Sequence, residues 1–142
     1  MANAVTFSDI QNHWAQASIV KLQERNLISG YPEGNFRPEG TITRAEFAAI
    51  LLKAFPNAKP VRDAINFTDV PATHWAYKAI KTASENGFFA GYPDGTFKPN
   101  QTLSRVQALV ILANGLDCSA PFPSVEMLQQ YFEDATQIPD YG

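Results

Sequence analysis

The amino-acid sequence predicts an all-α fold of tandem helix–loop–helix repeats. Three observations lead there. Short blocks recur in a fixed order, each copy carries a helix-start signature, and the apolar residues after each signature follow helical spacing. Phe7-Ser8-Asp9-Ile10 returns as Phe67-Thr68-Asp69-Val70, an offset of 60 residues. His13-Trp14-Ala15 returns as His74-Trp75-Ala76 at an offset of 61, the extra residue falling near Pro71. At 61 also, Gly30-Tyr31-Pro32-Glu33-Gly34-Asn35-Phe36-Arg37-Pro38 returns as Gly91-Tyr92-Pro93-Asp94-Gly95-Thr96-Phe97-Lys98-Pro99, and Thr43-Arg44-Ala45-Glu46 as Ser104-Arg105-Val106-Gln107.

The first helix of repeat one spans about Trp14 to Arg25, with Ile19 and Leu22 inward. Tyr31 to Gly34 then forms a tight turn, because proline presets φ at its second position and glycine suits its fourth. Phe36 folds back to plug the loop. The second helix starts at Thr43, where Thr-x-x-Glu is a capping box, and its inward face is Phe47, Ile50, Leu51, Ala54 and Phe55. Residues 57–66 link the repeats. In repeat two, Thr73 caps a helix starting near His74 with Ala76, Ala79, Ile80 and Ala83 on one face, and Asn86-Gly87 stops it. Tyr92 to Gly95 and Phe97 repeat the turn and the plug. Ser104-x-x-Gln107 opens the last long helix, whose inward face is Ala108, Ile111, Leu112, Gly115 and Leu116. A linker from Cys118 to Pro123 leads to a short helix from Ser124 to Tyr131. Phe132-Glu133-Asp134-Ala135 then begins a third copy, with Tyr141 in the place of Trp14 and Trp75. The units are therefore 1–58, 59–118 and 119–142. A helix–loop–helix unit of this size cannot bury its apolar face alone, so the repeats are expected to pack on each other.

Composition narrows the function. With 142 residues, 45% hydrophobic and 18% charged, the chain is globular. A formal charge of −3 argues against a nucleic-acid partner, which would select a basic face. The single cysteine, Cys118, allows no internal disulfide. No apolar run is long enough for a transmembrane helix, and Met1 to Thr6 has no signal-peptide character. His13 and His74 read as capping or bracing residues, since neither has a cysteine or glutamate at metal-ligand spacing. The Gly-x-Ser-x-Gly, His-Glu-x-x-His and phosphate-loop motifs are absent, so neither catalysis nor a cofactor or metal is expected.

Arg44 and Arg105 are the informative residues. Each follows a helix N-cap, where the helix dipole disfavours a cation. The free N–H groups there form an anion site, and an arginine fork beside them grips a carboxylate in bidentate fashion. The alternative is that each arginine pairs with a loop acid such as Asp9, Glu33, Asp69 or Asp94 and braces the fold. Trp14 and Trp75 suit a core edge, the preferred reading, or a sugar-stacking platform. Tyr31 and Tyr92 place a hydroxyl near solvent, where it bonds a sugar or staples the loop.

Phe-x-Asp-Val, His-Trp-Ala, Gly-Tyr-Pro-Asp-Gly-x-Phe-x-Pro and Thr-Arg-Ala-Glu in this order resemble the S-layer homology (SLH) repeat, over residues 7 to 116. Leu-Ser-Arg-Val-Gln-Ala-Leu-Val is most similar to the branch found in cyanobacterial envelope proteins. The resemblance implies a pseudo-threefold helical bundle, incomplete here because the third copy lacks the arginine and the Gly-Tyr loop. It implies a non-catalytic cell-envelope anchor that binds a peptidoglycan-linked secondary cell-wall polysaccharide, often a pyruvylated one. The protein would then be exported to the wall surface or the periplasmic face of an outer membrane. The implied glycan-binding residues are Arg44, Arg105, Trp14, Trp75, Asp9, Asp69, Gly30, Tyr31, Gly91 and Tyr92. Replacing either arginine should weaken binding and leave stability nearly unchanged. The alternative function is a structural module whose repeats pack with another copy, a parent protein or a missing third repeat.

Overall fold

A computed structural model describes residues 7–118 and 125–138. It is all-helical, and the described residues contain no strand. The helices are α1 (Gln16–Glu24), α2 (Arg44–Ala54), α3 (Tyr77–Glu85), α4 (Arg105–Gly115) and the short α5 (Val125–Leu128).

Both capping boxes form as expected. The Thr43 hydroxyl accepts from the Glu46 N–H while the Glu46 carboxylate accepts from the Thr43 N–H, and Ser104 and Gln107 repeat the exchange. These boxes fix the starts of α2 and α4. The first helices start later than their sequence suggests. In repeat two the helix begins at Tyr77 rather than near His74, and Thr73 makes no cap. Instead the His74 ring Nδ1 accepts from the Ala76 N–H at 3.1 Å, and His13 does the same for Ala15 at 3.2 Å. The histidines thus hold a turn ahead of each helix. Both helices then end on a left-handed residue, Asn26 (φ 57°) or Gly87 (φ 85°), with the next N–H reaching five residues back. This is Schellman geometry; in repeat two it falls at the Asn86-Gly87 stop expected from the sequence, and in repeat one Asn26 takes the glycine's place. The short C-terminal helix is Val125–Leu128, a single turn, since Tyr131 already lies beyond it. The Ala135 N–H bonds the Phe132 carbonyl as Ile10 bonds Phe7 and Val70 bonds Phe67, so the third opening block repeats the turn of the first two. Tyr141 and most of the Cys118 to Pro123 linker lie outside the described residues.

The larger core lies across the boundary between repeats. Helix α2 packs on α3, and Ala45, Ala48 and Leu51 join Ala76, Ala79, Ile80 and Ala83 in one buried cluster. The α3 face is the one its periodicity specifies. The α2 face is rotated: small alanines let the two helices approach, while Phe47, Ile50, Ala54 and Phe55 are only partly buried. In α4, Ile111 is buried and Leu116 is exposed, and in α1 Ile19 is buried while Leu22 is exposed. Phe97 is fully buried, edge-on to Phe89, whereas Phe36 is half-buried in a smaller cluster with Phe7, Ile10 and Ile19.

The aromatic pair at the helix starts corrects the core-edge expectation. Trp14 is 89% and Trp75 66% exposed. Each indole leans on its neighbouring histidine ring, with centroids 5.5 and 5.8 Å apart, and otherwise faces solvent.

Candidate functional site

The loops are built around a hydrogen-bond bracket at the protein surface. Asp9 accepts from the backbone N–H groups of Phe36 and Arg37 at 2.9 and 2.6 Å, and Asp69 accepts from those of Phe97 and Lys98 at 2.8 and 2.7 Å. The bracketed Arg37 (φ 58°) and Lys98 (φ 57°) are left-handed, a conformation that costs a non-glycine residue roughly 1 kcal/mol and that the carboxylates hold in place. Partial shielding by the loop raises the Asp9 pKa. The two N–H groups and the Arg37 charge outweigh it and set the carboxyl below its ordinary 3.8. The tight turns form as expected, with Gly34 N–H to Tyr31 carbonyl at 2.9 Å and Gly95 N–H to Tyr92 carbonyl at 3.0 Å. Gly30 and Gly91 have a steric role. A Cβ on either would lie 2.2 or 2.3 Å from the ring of Phe7 or Phe67.

Arg44 does not pair with an acid. It is 8% exposed, and its Nε donates to the Phe97 carbonyl at 2.7 Å. Its guanidinium lies over the rings of Phe89, Tyr92 and Phe97 at 4.7 to 5.0 Å. All three rings belong to repeat two, so this arginine plugs one repeat into the next. Burial lowers its pKa, with Tyr92 and Asp69 acting to raise it, and it keeps its charge at any ordinary pH. The N–H groups expected to form an anion site are also used. Arg44 donates to the Gln101 carbonyl at 2.9 Å and Ala45 to the Pro99 carbonyl at 3.0 Å, beside a bridge between Thr43 and Thr102. Arg105, the counterpart in repeat two, is exposed, and among the described residues its side chain has no hydrogen-bond partner.

An open groove of about 490 Å³ runs between the repeat-one loop and the outer stripe of α2. Its floor is apolar, formed by residues such as Ile28, Phe36, Ala49 and Ile50. Tyr31, Arg37, Glu46 and Lys53 supply the polar walls, and Trp75 from repeat two closes one end. The Glu46 carboxylate is engaged in the capping box, and Arg37 lies 4.3 Å over the Tyr31 ring with only a loose contact to Glu33 at 3.6 Å. Two cations and two aromatic faces therefore line the same space. Of the residues the sequence pointed to, the groove gathers Gly30, Tyr31 and Trp75. Asp9 shapes its loop from behind, and Arg44 fixes its α2 wall. Asp69, Gly91 and Tyr92 form the equivalent loop of repeat two around Arg44, and Trp14 and Arg105 lie elsewhere. Arg37 and Lys53 were missed. Lys53 belongs to the stripe Glu46, Ala49, Ile50, Lys53, which shows helical spacing once the alanine face of α2 is assigned to α3.

The chain matches the family model of the S-layer homology domain over residues 6–48 and 66–109. It is 35% identical over 122 residues to the cellulosome-anchoring protein of Acetivibrio thermocellus, which covers 81% of this chain and 27% of that protein. To the surface-layer 125 kDa protein of Lysinibacillus sphaericus it is 34% identical over 119 residues, 82% of this chain and 10% of that protein. To exoglucanase XynX of A. thermocellus it is 30% identical over 143 residues, 100% of this chain and 13% of that protein. The chain thus spans less than a third of the length of the curated relatives it matches.

Proposed function

Because the chain belongs to the S-layer homology domain family, we propose that it is a non-catalytic anchoring module that attaches a bacterial protein to the cell wall by binding a wall-linked saccharide. The observation that carries the site is the groove, in which Trp75 stands exposed at one end and Arg37 and Lys53 converge on an apolar floor. An aromatic face stacks on the apolar side of a sugar ring, and Lys53 together with Arg37, which is paired only at 3.6 Å with Glu33, would favour one bearing a carboxylate, as a pyruvyl substituent would provide. Tyr31 and Trp75 are the stacking groups and Arg37 and Lys53 the charge partners. Asp9, Gly30 and Arg44 position them. Trp14, Arg105, Asp69, Gly91 and Tyr92 occupy the matching positions of repeat joints at the two ends and in repeat two. The setting is the outside of the cell, at the wall surface or the inner face of an outer membrane. No helix among the described residues is long and apolar enough to cross a membrane. The names of the relatives, an anchoring protein and a surface-layer protein among them, support this reading.

The test is co-sedimentation with purified wall sacculi, before and after chemical removal of the wall-linked polysaccharide. Binding should disappear with the polysaccharide. Trp75→Ala and Lys53→Glu should each weaken it about tenfold, the effect of losing roughly 1.4 kcal/mol of stacking or charge pairing. Equal binding by stripped sacculi, or by both variants, would overturn it.

A further inference from the structure

The middle of the molecule holds one complete joint between repeats, and its two ends hold the two halves of another. The plug of the joint is the start of α2, namely Arg44, Ala45, Ala48 and Leu51. The socket is α3 with Ala76, Ala79 and Ala83, the carbonyls of Phe97, Pro99 and Gln101, and the rings around Arg44. One repeat later, the same plug is Arg105, Val106, Leu109 and Leu112. Leu109 is 57% exposed where its counterpart Ala48 is sealed. One repeat earlier, the same socket is Ala15 just before α1 and Ser18 and Leu22 on it, with the carbonyls of Phe36, Pro38 and Gly40. Ser18 and Leu22 are exposed where Ala79 and Ala83 are buried. Among the described residues those three carbonyls accept no hydrogen bond, and the Arg105 and Val106 N–H groups donate none. The ring cage is also present, as Tyr31 and Phe36, with Ile28 replacing Phe89. Asp9 stands where Asp69 favours the charge of Arg44. Each end therefore offers what the other end lacks, in donors, acceptors, apolar surface and charge.

We infer that a second copy of this chain docks head to tail, with the plug of repeat two on one copy seated in the socket of repeat one on the other. The occupant is specified by the joint already formed inside the chain, which shows that a plug of this sequence type fits a socket of this sequence type. Such a contact uses different surfaces on the two copies, so it grows into a ring or an open chain rather than stopping at a symmetric pair. The socket shares Tyr31, Phe36, Pro38 and Gly40 with the groove, so docking and saccharide would compete there, and the test reads particle mass in the absence of saccharide so that its outcome is separate from that of the binding assay.

Sedimentation velocity with the whole chain, from low micromolar to near-millimolar concentration, tests it. The mean mass should climb above the 15.7 kDa of one copy as concentration rises. Leu109→Arg blocks the plug and Ser18→Arg blocks the socket. Both side chains are solvent-facing, so each variant should keep the parental helical signal and melting temperature. Each variant alone should stay at the mass of one copy, and a mixture should form a pair and go no further. A parent chain that stays at one-copy mass throughout overturns the inference and leaves the two faces to a further repeat on a longer polypeptide. So does a mixture that does not pair, or a blocked variant that associates as strongly as the parent.

Discussion

Two arginines at equivalent sequence positions have different surroundings. Arg44 is enclosed by three rings and a carbonyl of the next repeat, while Arg105 faces water. These surroundings revise the expectation for replacement, a cost for Arg44 and almost none for Arg105. Arg44→Ala should destabilise the chain by about 2–4 kcal/mol, because it removes a charge-assisted hydrogen bond and leaves the Phe97 carbonyl and the cage unfilled. Arg105→Ala should fall within about 0.5 kcal/mol. Urea melts of both variants check the contrast. Nothing in the local sequence distinguishes the two, since the partner of Arg44 lies 53 residues away and is a backbone carbonyl. The Asp9 bracket predicts a pH effect. Its folded pKa is depressed, so its contribution is fully present above 3.8 and is lost as the pH falls through the folded value. Asp94, held by the Thr96 hydroxyl and N–H, has the same sign. Thermal melts between pH 5 and pH 2 should show stability declining with acid, and Asp9→Asn should lessen the slope.

At the level of elements, legibility in the sequence depended on whether the structure-making contact is local. The capping boxes of α2 and α4, the Tyr-Pro-x-Gly turns and the glycine-terminated end of α3 are all contacts within a few residues, and each could be read directly. The face of α3 was legible too, because its alanines and isoleucine follow one stripe. The face of α2 was not. It has apolar residues on both sides, and only the arrival of α3 decides that the alanine side is buried. The exposed indoles misled for a related reason: tryptophan is large and apolar enough to suggest a core, yet the turn held by His13 and His74 aims it outward. The same distinction separates the two loop plugs. Phe97→Ala should cost about 3–5 kcal/mol, while Phe36→Ala, half-buried in a smaller cluster, should cost about 1–3 kcal/mol. Denaturation midpoints measured side by side would reveal the asymmetry.

For the whole molecule, the repeat seen in the sequence and the unit that excludes water are out of register. The main core takes the second helix of repeat one and the first helix of repeat two, while a smaller cluster around Phe7, Ile10 and Ile19 closes within repeat one. A fragment of residues 1–58 should therefore show little helix alone by circular dichroism, whereas residues 40–118 should fold cooperatively. The register also bears on how the chain would survive digestion. The connection from Pro56 to Asp63 is mostly exposed, while the bridge at Thr43 and Thr102, the Arg44 plug and the α2–α3 seam all cross from one side of it to the other. A protease that nicks this connection cuts the covalent thread and leaves the cross-repeat contacts whole. The clipped protein would run as two bands in denaturing gel and as one particle in native buffer, and two separately made pieces would acquire structure only on meeting each other.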